Sequence, residues 1–489
     1  MYRKHSKRKQ LIWRSVNYFF MVTSVILIVA FITLFMLGFR FDANNGKYEQ
    51  YAFLQFGTSP SGATVSVDGK VVGAKTPNKN SIPAGKHEVV MWRDGYETWN
   101  KSIDVKSGTL TWLNYALLIP KKLTVEPVAN YDSVYSSLAS PKGNYMIIEK
   151  KSDKPLFELV DLGSDLIKTT SLTIPTNLYS EPNTIGVAHT FNLLKWDEGG
   201  RYVIINHIFG EKNEWLVMDT QNINQTKNVT GHFNISISSI DFSGTSGNIF
   251  YALSSDEILR LDLSAGTISK PLISGVANFS AYDESKVIVY IGIKNDATGN
   301  RVFGIYRDGD DKSSIIKTVS VGQDVELHIA TTHYYNEDYV IISEGKKINL
   351  YGGSYPNANS DNANSMKVIT SFELSENVNE IVFSPTGKYA LLKSGSSFTS
   401  YDLEYQKLAV SNIEGSGPVP LIRWIDENNI WSDRDGSLSI REFDGLNSHT
   451  INPVVSGQDA TLTNNGRYLY SIGKLNDTYQ LQRVRMILP

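Results

Sequence analysis

Residues Ser384–Leu392 read SPTGKYALL. A polar turn, in which Gly387 tolerates a left-handed backbone, runs straight into an aromatic and apolar strand. The same order stands at SPKGNYMII (140–148), DEGGRYVII (197–205) and TNNGRYLYS (463–471). Weaker copies are SGTSGNIFYAL (243–253), DESKVIVYI (283–291), NEDYVIIS (336–343) and DENNIWSD (426–433). From Ser140 to Thr463 the eight copies recur about every 46 residues, close to the spacing of a four-stranded radial blade.

A second element follows most copies: an apolar strand ending in an Asp turn, as in FELVDLGS (157–164), WLVMDTQN (215–222) and FTSYDLEYQ (398–406). Each unit therefore predicts an inner strand, a turn, two further strands and an outer strand. Stacking such sheets radially buries both faces and protects most edges. The arrangement resembles bacterial β-propellers of the WD40-like and TolB-like type and covers residues 121–489. Eight blades are expected, or seven if one weak unit is an insertion. The last unit lacks an outer strand, and Leu123–Val128 (LTVEPV) is left over before the first, so strand 123–128 is expected to close the ring. The low-complexity stretch Gly352–Ser365 reads as a loop inside the fifth unit.

The N-terminus has a different character. Residues 1–14 hold Arg3, Lys4, Lys7, Arg8, Lys9 and Arg14 and no acid, and Val16–Phe39 carries no charge. At about 1.5 Å per residue that run crosses a hydrocarbon core of about 30 Å. It is longer than the hydrophobic region of a cleaved signal peptide and lacks a small-residue cleavage site. The expectation is a basic cytoplasmic tail (1–15), a transmembrane helix (16–39) and a juxtamembrane linker (40–50). The basic cluster places the N-terminus in the cytoplasm and the C-terminal bulk outside the plasma membrane.

Between anchor and repeats, residues 51–119 are punctuated by turns. Pro60-Ser61-Gly62-Ala63 precedes an alternating strand with Val65 and Val67, and Asp68-Gly69 makes a hairpin. Gly73, Thr76-Pro77, Pro83-Ala84-Gly85 with His87, and Gly95-Tyr96 follow. On these spaced turns the segment resembles the PEGA domain, with Ser61 in the slot that often holds the motif's Glu. The resemblance implies a non-catalytic β-sandwich of bacterial envelope proteins that acts as a spacer or adhesion module. Asp68 then reads as a turn residue and His87 as structural. Trp92, Tyr96, Trp99 and Trp112 read as core rather than as a sugar-stacking platform.

Composition narrows the chemistry. The chain is 41% hydrophobic and 20% charged, as a globular protein is. It has no cysteine, which removes thiolate nucleophiles, zinc–thiolate sites and Fe–S clusters and fits a bacterial exported protein or an intracellular one. The six basic residues at the N-terminus leave 41 basic against 50 acidic side chains, so nucleic acid is not an expected partner. No HExxH, GxSxG or GxxxxGK[ST] motif occurs. In SDRDG (432–436) the Asp stands one place late for a sialidase Asp box, and it and DGDD (308–311) read as solvated turns. Carboxylates converging on the channel would make a glycan or peptide hydrolase. The expectation is a mainly β, single-pass, non-catalytic surface protein without cofactor or metal. It recognises an envelope polymer or surface protein, or serves as an accessory subunit of an envelope complex. No catalytic, metal or binding residue is named.

Overall fold

The computed structural model describes residues 7–36, 39–42, 47–181, 186–282, 286–320, 325–356 and 365–489. Arg3 and Lys4 of the basic tail and residues 357–364 of the low-complexity stretch lie outside them. The chain divides into two compact units, Met1–Lys122 with Ile487–Pro489, and Leu123–Met486.

The first unit opens with a helix, Lys7–Met36. Its segment Leu11–Met36 is apolar, long enough to span a bilayer, and has no buried residue in its most apolar window. Two readings from sequence are corrected next to it. Phe39, read as the end of the apolar span, begins a strand (Phe39–Asp42), and the supposed linker 40–50 pairs that strand with Lys47–Ser59. The register sets Arg40 opposite Glu49 and Asp42 opposite Lys47.

Strand Phe39–Asp42 and the seven strands of residues 47–117 build two four-stranded sheets. Their inner faces bury Leu54, Phe56, Val65, Val89, Met91, Tyr96, Trp99 and Leu113. Asp68 and Gly69 both adopt positive φ, as the hairpin requires. Thr76 fastens the Pro60–Ala63 turn: its Oγ1 accepts from Gly62 N at 3.1 Å and Ala63 N at 2.9 Å. Ile487–Pro489 also belong to this unit, although the sequence assigned them to the repeats. Leu488 packs on the sandwich core, and its backbone N–H donates to the Tyr96 hydroxyl at 2.7 Å.

Among the described residues the second unit forms eight antiparallel sheets in chain order. They cover residues 136–173, 189–228, 239–274, 276–320, 327–373, 380–412, 422–453 and 460–485, the last completed by Val125–Tyr131. That strand pairs antiparallel with Thr478–Arg485, setting Leu481 opposite Ala129 and Val484 opposite Val125. First strands approach one another between the first and second, third and fourth, fourth and fifth, fifth and sixth, and first and eighth sheets, and these first strands are taken as the inner wall. Apolar seams join successive sheets. Phe157, Phe191 and Trp196 lie in the seam of the first and second, and Met146, Ile148, Tyr470 and Leu481 in that of the eighth and first.

The repeated turn has a local cause. Ser140 Oγ accepts the N–H of Tyr145 at 3.0 Å, Ser384 Oγ that of Tyr389 at 3.0 Å, and Thr463 Oγ1 that of Tyr468 at 3.1 Å. Asp197 does the same for Tyr202 at 2.6 Å. A short oxygen-bearing side chain thus satisfies the first donor of the next strand. Gly143 has a second constraint besides φ +62°: a Cβ there would lie 2.2 Å from the Leu462 carbonyl oxygen of the eighth sheet.

One buried carboxyl in this framework gives a pH-dependent prediction. Glu149 is fully buried in the first sheet and accepts from Ser136 Oγ, and burial pushes its pKa up to about 7. The folded state therefore holds this proton more tightly than the unfolded chain, and stability falls as pH rises from about 4.5 through 7. Glu149→Gln should remove that loss, stabilising the protein by about 1–3 kcal/mol at pH 8 and by little at pH 4. Urea denaturation at the two pH values checks it; equal effects at both would refute the assignment.

Candidate functional site

The residues singled out in the sandwich serve its fold. His87 Nδ1 meets Asp68 Oδ2 at 2.7 Å, and its Nε2 meets the Pro83 carbonyl at 2.8 Å. Asp68 also accepts from Glu88 N at 2.9 Å, and the His87 and Glu88 hydrogen bonds hold its carboxyl below the usual range. Tyr96 and Trp99 are core, Trp92 is half-buried, and Trp112 is exposed at the sheet surface.

In the eight-sheet unit, the SDRDG turn is not a solvated loop. Asp433 is buried and accepts from Leu421 N and Gly457 N, both at 2.7 Å, and Asp435 accepts from Gly417 N at 2.6 Å. These carboxylates fasten the loops that lead into the seventh and eighth sheets. Asp308 and Asp310 are half-buried, and Asp311 is exposed.

The inner wall carries ion pairs between neighbouring sheets. Lys195 of the second reaches Asp241 of the third at 2.6 Å, and Arg423 of the seventh lies 3.4 Å from Asp459 at the entry to the eighth. Asp241 also accepts from Ala281 N at 3.2 Å and Asp459 from Ala139 N at 2.9 Å. Burial raises the Asp459 pKa against the pull of Arg423. Within the sixth sheet Lys393 holds Glu380 at 2.8 Å. Beside that pair is a cavity of about 180 Å³ lined by Asn278, Phe279, Leu327, His328 and Glu380. Most carboxylates of the wall are thus engaged by a cation or a backbone amide. Among the described residues no three His, Asp or Glu side chains are grouped to hold a metal ion.

A buried polar chain in the second sheet was missed in the reading of the sequence. His207 is fully buried, stacked on Phe191 at 4.1 Å and near Phe209 at 4.9 Å. Its Nδ1 lies 2.8 Å from Glu214 Oε1 and its Nε2 lies 2.9 Å from His189 Nδ1. Glu214 also accepts from Ser180 N (2.8 Å), Ser180 Oγ (2.8 Å) and Asn228 Nδ2 (2.7 Å). Burial opposes its ionisation, but the hydrogen bonds from His207, Ser180 and Asn228 outweigh it and hold its carboxyl below the usual range. With Glu214 ionised, His207 donates from Nδ1 and its Nε2 accepts from His189 Nδ1. The chain thereby fastens Ser180, on the loop between the first two sheets. The signal was present only as aromatic and polar alternation, in HTF at 189–191 and HIF at 207–209.

The PEGA domain family matches residues 53–119. Among solved structures, the β-propeller domain of Myceliophteria thermophila Cps50 (Swd1) is 10% identical with a TM-score of 0.41, covering 75% of this chain and 100% of that one. An oligogalacturonate lyase in complex with manganese is 11% identical with a TM-score of 0.42, covering 75% and 98%. Kluyveromyces lactis Hsv2 is 12% identical with a TM-score of 0.38, covering 73% and 100%. No curated protein matches the chain by sequence.

Proposed function

We propose that the protein is a single-pass, membrane-anchored recognition protein of a bacterial envelope. In this reading Leu11–Met36 spans the plasma membrane with the basic N-terminus inside. The PEGA sandwich spaces the eight-bladed ring from the bilayer, and the ring binds an envelope polymer or a surface protein without catalysis. The observation that carries it is the apolar helix, exposed along its length, joined to two β units. Such a side-chain belt is stable in lipid, and the turns and loops at the ends of a rigid ring are where binding residues collect. Engagement of most inner-wall carboxylates by cations or backbone amides supports binding over hydrolysis.

The test is binding of the full-length protein in detergent micelles to fractionated cell-wall polymer, membrane protein and whole cells. Saturable binding to one fraction is expected, and absence of binding to every fraction would sink the reading. A second reading, an extracytoplasmic hydrolase of glycan or peptide, is favoured by one observation: His189 ends a hydrogen-bonded chain through His207 to Glu214. Hydrolysis of an envelope polymer that is lost in His189→Ala would establish it.

A further inference from the structure

The outer strand of a sheet leaves one row of backbone N–H and C=O groups unpaired, and most outer strands of this unit carry a feature that blocks a further strand. In the second sheet the outer strand is two residues long, Lys227–Asn228, and runs straight into a short helix. In the third it is split into Thr267–Ile268 and Ile273–Ser274 on either side of Pro271. In the fourth, fifth, seventh and eighth it is bulged, with Ile316, Ile369, Ile451 and Val128 as the residue that has no opposite number. The first sheet's outer strand, Lys168–Thr173, is regular but exposes Lys, Thr and Ser side chains.

The sixth sheet has none of these features. Lys407–Asn412 pairs residue for residue with Ser397–Asp402, without a bulge or a proline. Val410 is 70% and Leu408 45% exposed, and no charge lies between Leu408 and Asn412. Leu408 stands opposite Tyr401, whose ring stacks on Phe372 of the fifth sheet at 6.0 Å, so the exposed aliphatic side chains extend an apolar seam. Ile413 N donates to Ser396 O at 2.9 Å, and antiparallel bonding alternates along a strand, so Lys407, Ala409 and Ser411 bond to Ser397–Asp402. Leu408, Val410 and Asn412 therefore turn their N–H and C=O groups to the open edge, and among the described residues no strand pairs with them.

Charge selects what covers this edge. Lys407 at its start and Glu414 just past its end are exposed, and among the described residues neither has an ion-pair partner. The charges beside them are already engaged, Glu404 by Lys388 at 2.7 Å and Arg434 by the Pro418 carbonyl at 2.6 Å. An edge that is positive at one end and negative at the other is complementary to itself when reversed.

We propose that two copies of the chain pair along this edge, antiparallel, about a two-fold axis at Val410. Val410 then faces Val410 of the second copy, and Leu408 faces the second copy's Asn412. About six backbone hydrogen bonds join the two sheets into one, two for each facing pair. The aliphatic side chains at 408 and 410 are covered, and Lys407 of each copy comes one residue from the position opposite the other's Glu414. The proposal goes beyond the recognition reading and stands without it.

The test uses the full-length protein in detergent micelles. Sedimentation compares the parent with Val410→Lys and, on the fifth sheet's outer strand, Val368→Lys. Because the chain has no cysteine, Val410→Cys and Val368→Cys each supply a single thiol for oxidative cross-linking. Both positions are exposed, and unchanged melting temperatures confirm that the fold is kept. The expected result is a dimer that Val410→Lys dissociates and Val368→Lys leaves intact. Val410→Cys should cross-link about ten-fold faster than Val368→Cys, since residues facing each other in a hydrogen-bonded pair lie within disulfide reach. A parent protein that is monomeric throughout the micromolar range overturns the proposal. So does a dimer that survives Val410→Lys, or one in which the two thiols cross-link at equal rates.

Discussion

Glu214→Leu should destabilise the eight-sheet unit by about 3–5 kcal/mol, because it removes the acceptor of four hydrogen bonds and leaves their donors in a buried site. His207, without exposure, has no water to replace the carboxylate at Nδ1. The parent protein should show the pH signature of a depressed carboxyl. Its folded pKa lies below the unfolded value of 4.5, so the stabilisation is present above about pH 4.5 and is lost as pH falls through the folded pKa. Glu149 has the opposite slope, and the two carboxyls can be separated by titrating each variant. Glu214→Gln, which keeps one acceptor oxygen but presents an amide to donors, should give an intermediate loss without the acid-side slope. Chemical denaturation from pH 3 to 8 decides it. A Glu214→Leu loss below about 1 kcal/mol at pH 7 would mean that the chain is not a structural hub.

The second large effect concerns the strand from the other end of the chain. Deleting residues 125–131 should lower the melting temperature by about 10 °C or more and promote self-association. The deletion exposes the backbone of Thr478–Arg485 as an open edge and strips Tyr131 from the seam it shares with Met146, Ile148 and Tyr470. A synthetic peptide of residues 123–131 should restore much of the loss, since the edge it pairs with is preserved. An unchanged melt would show that this strand does not hold the first and eighth sheets together.

Local features were legible because their causes are local. The Ser, Thr or Asp that opens the four clearest turns is recognisable five residues before its strand, since that side chain receives the strand's first N–H. Asp68-Gly69 is legible for the same reason: the hairpin demands positive φ at both residues. The linker reading of 40–50 failed because short polar and aromatic residues look alike in a linker and in an edge pair, and only the partner strand distinguishes them. The solvated reading of Asp433 failed because its two amide partners, Leu421 and Gly457, come from different loops.

By itself, then, the sequence determined an apolar helix, a turn-punctuated PEGA sandwich and a repeating four-strand unit, since composition, periodicity and turn chemistry act over a few residues. Only the tertiary structure decided which side chains meet. The Glu214–His207–His189 chain depends on the register of three strands, the Arg423–Asp459 pair on the approach of two sheets, and the docking of Leu488 on the return of the chain to the first unit. Hydrogen bonds and ion pairs act over about 3–4 Å in space whatever the separation along the chain, so nothing in a local window reveals them.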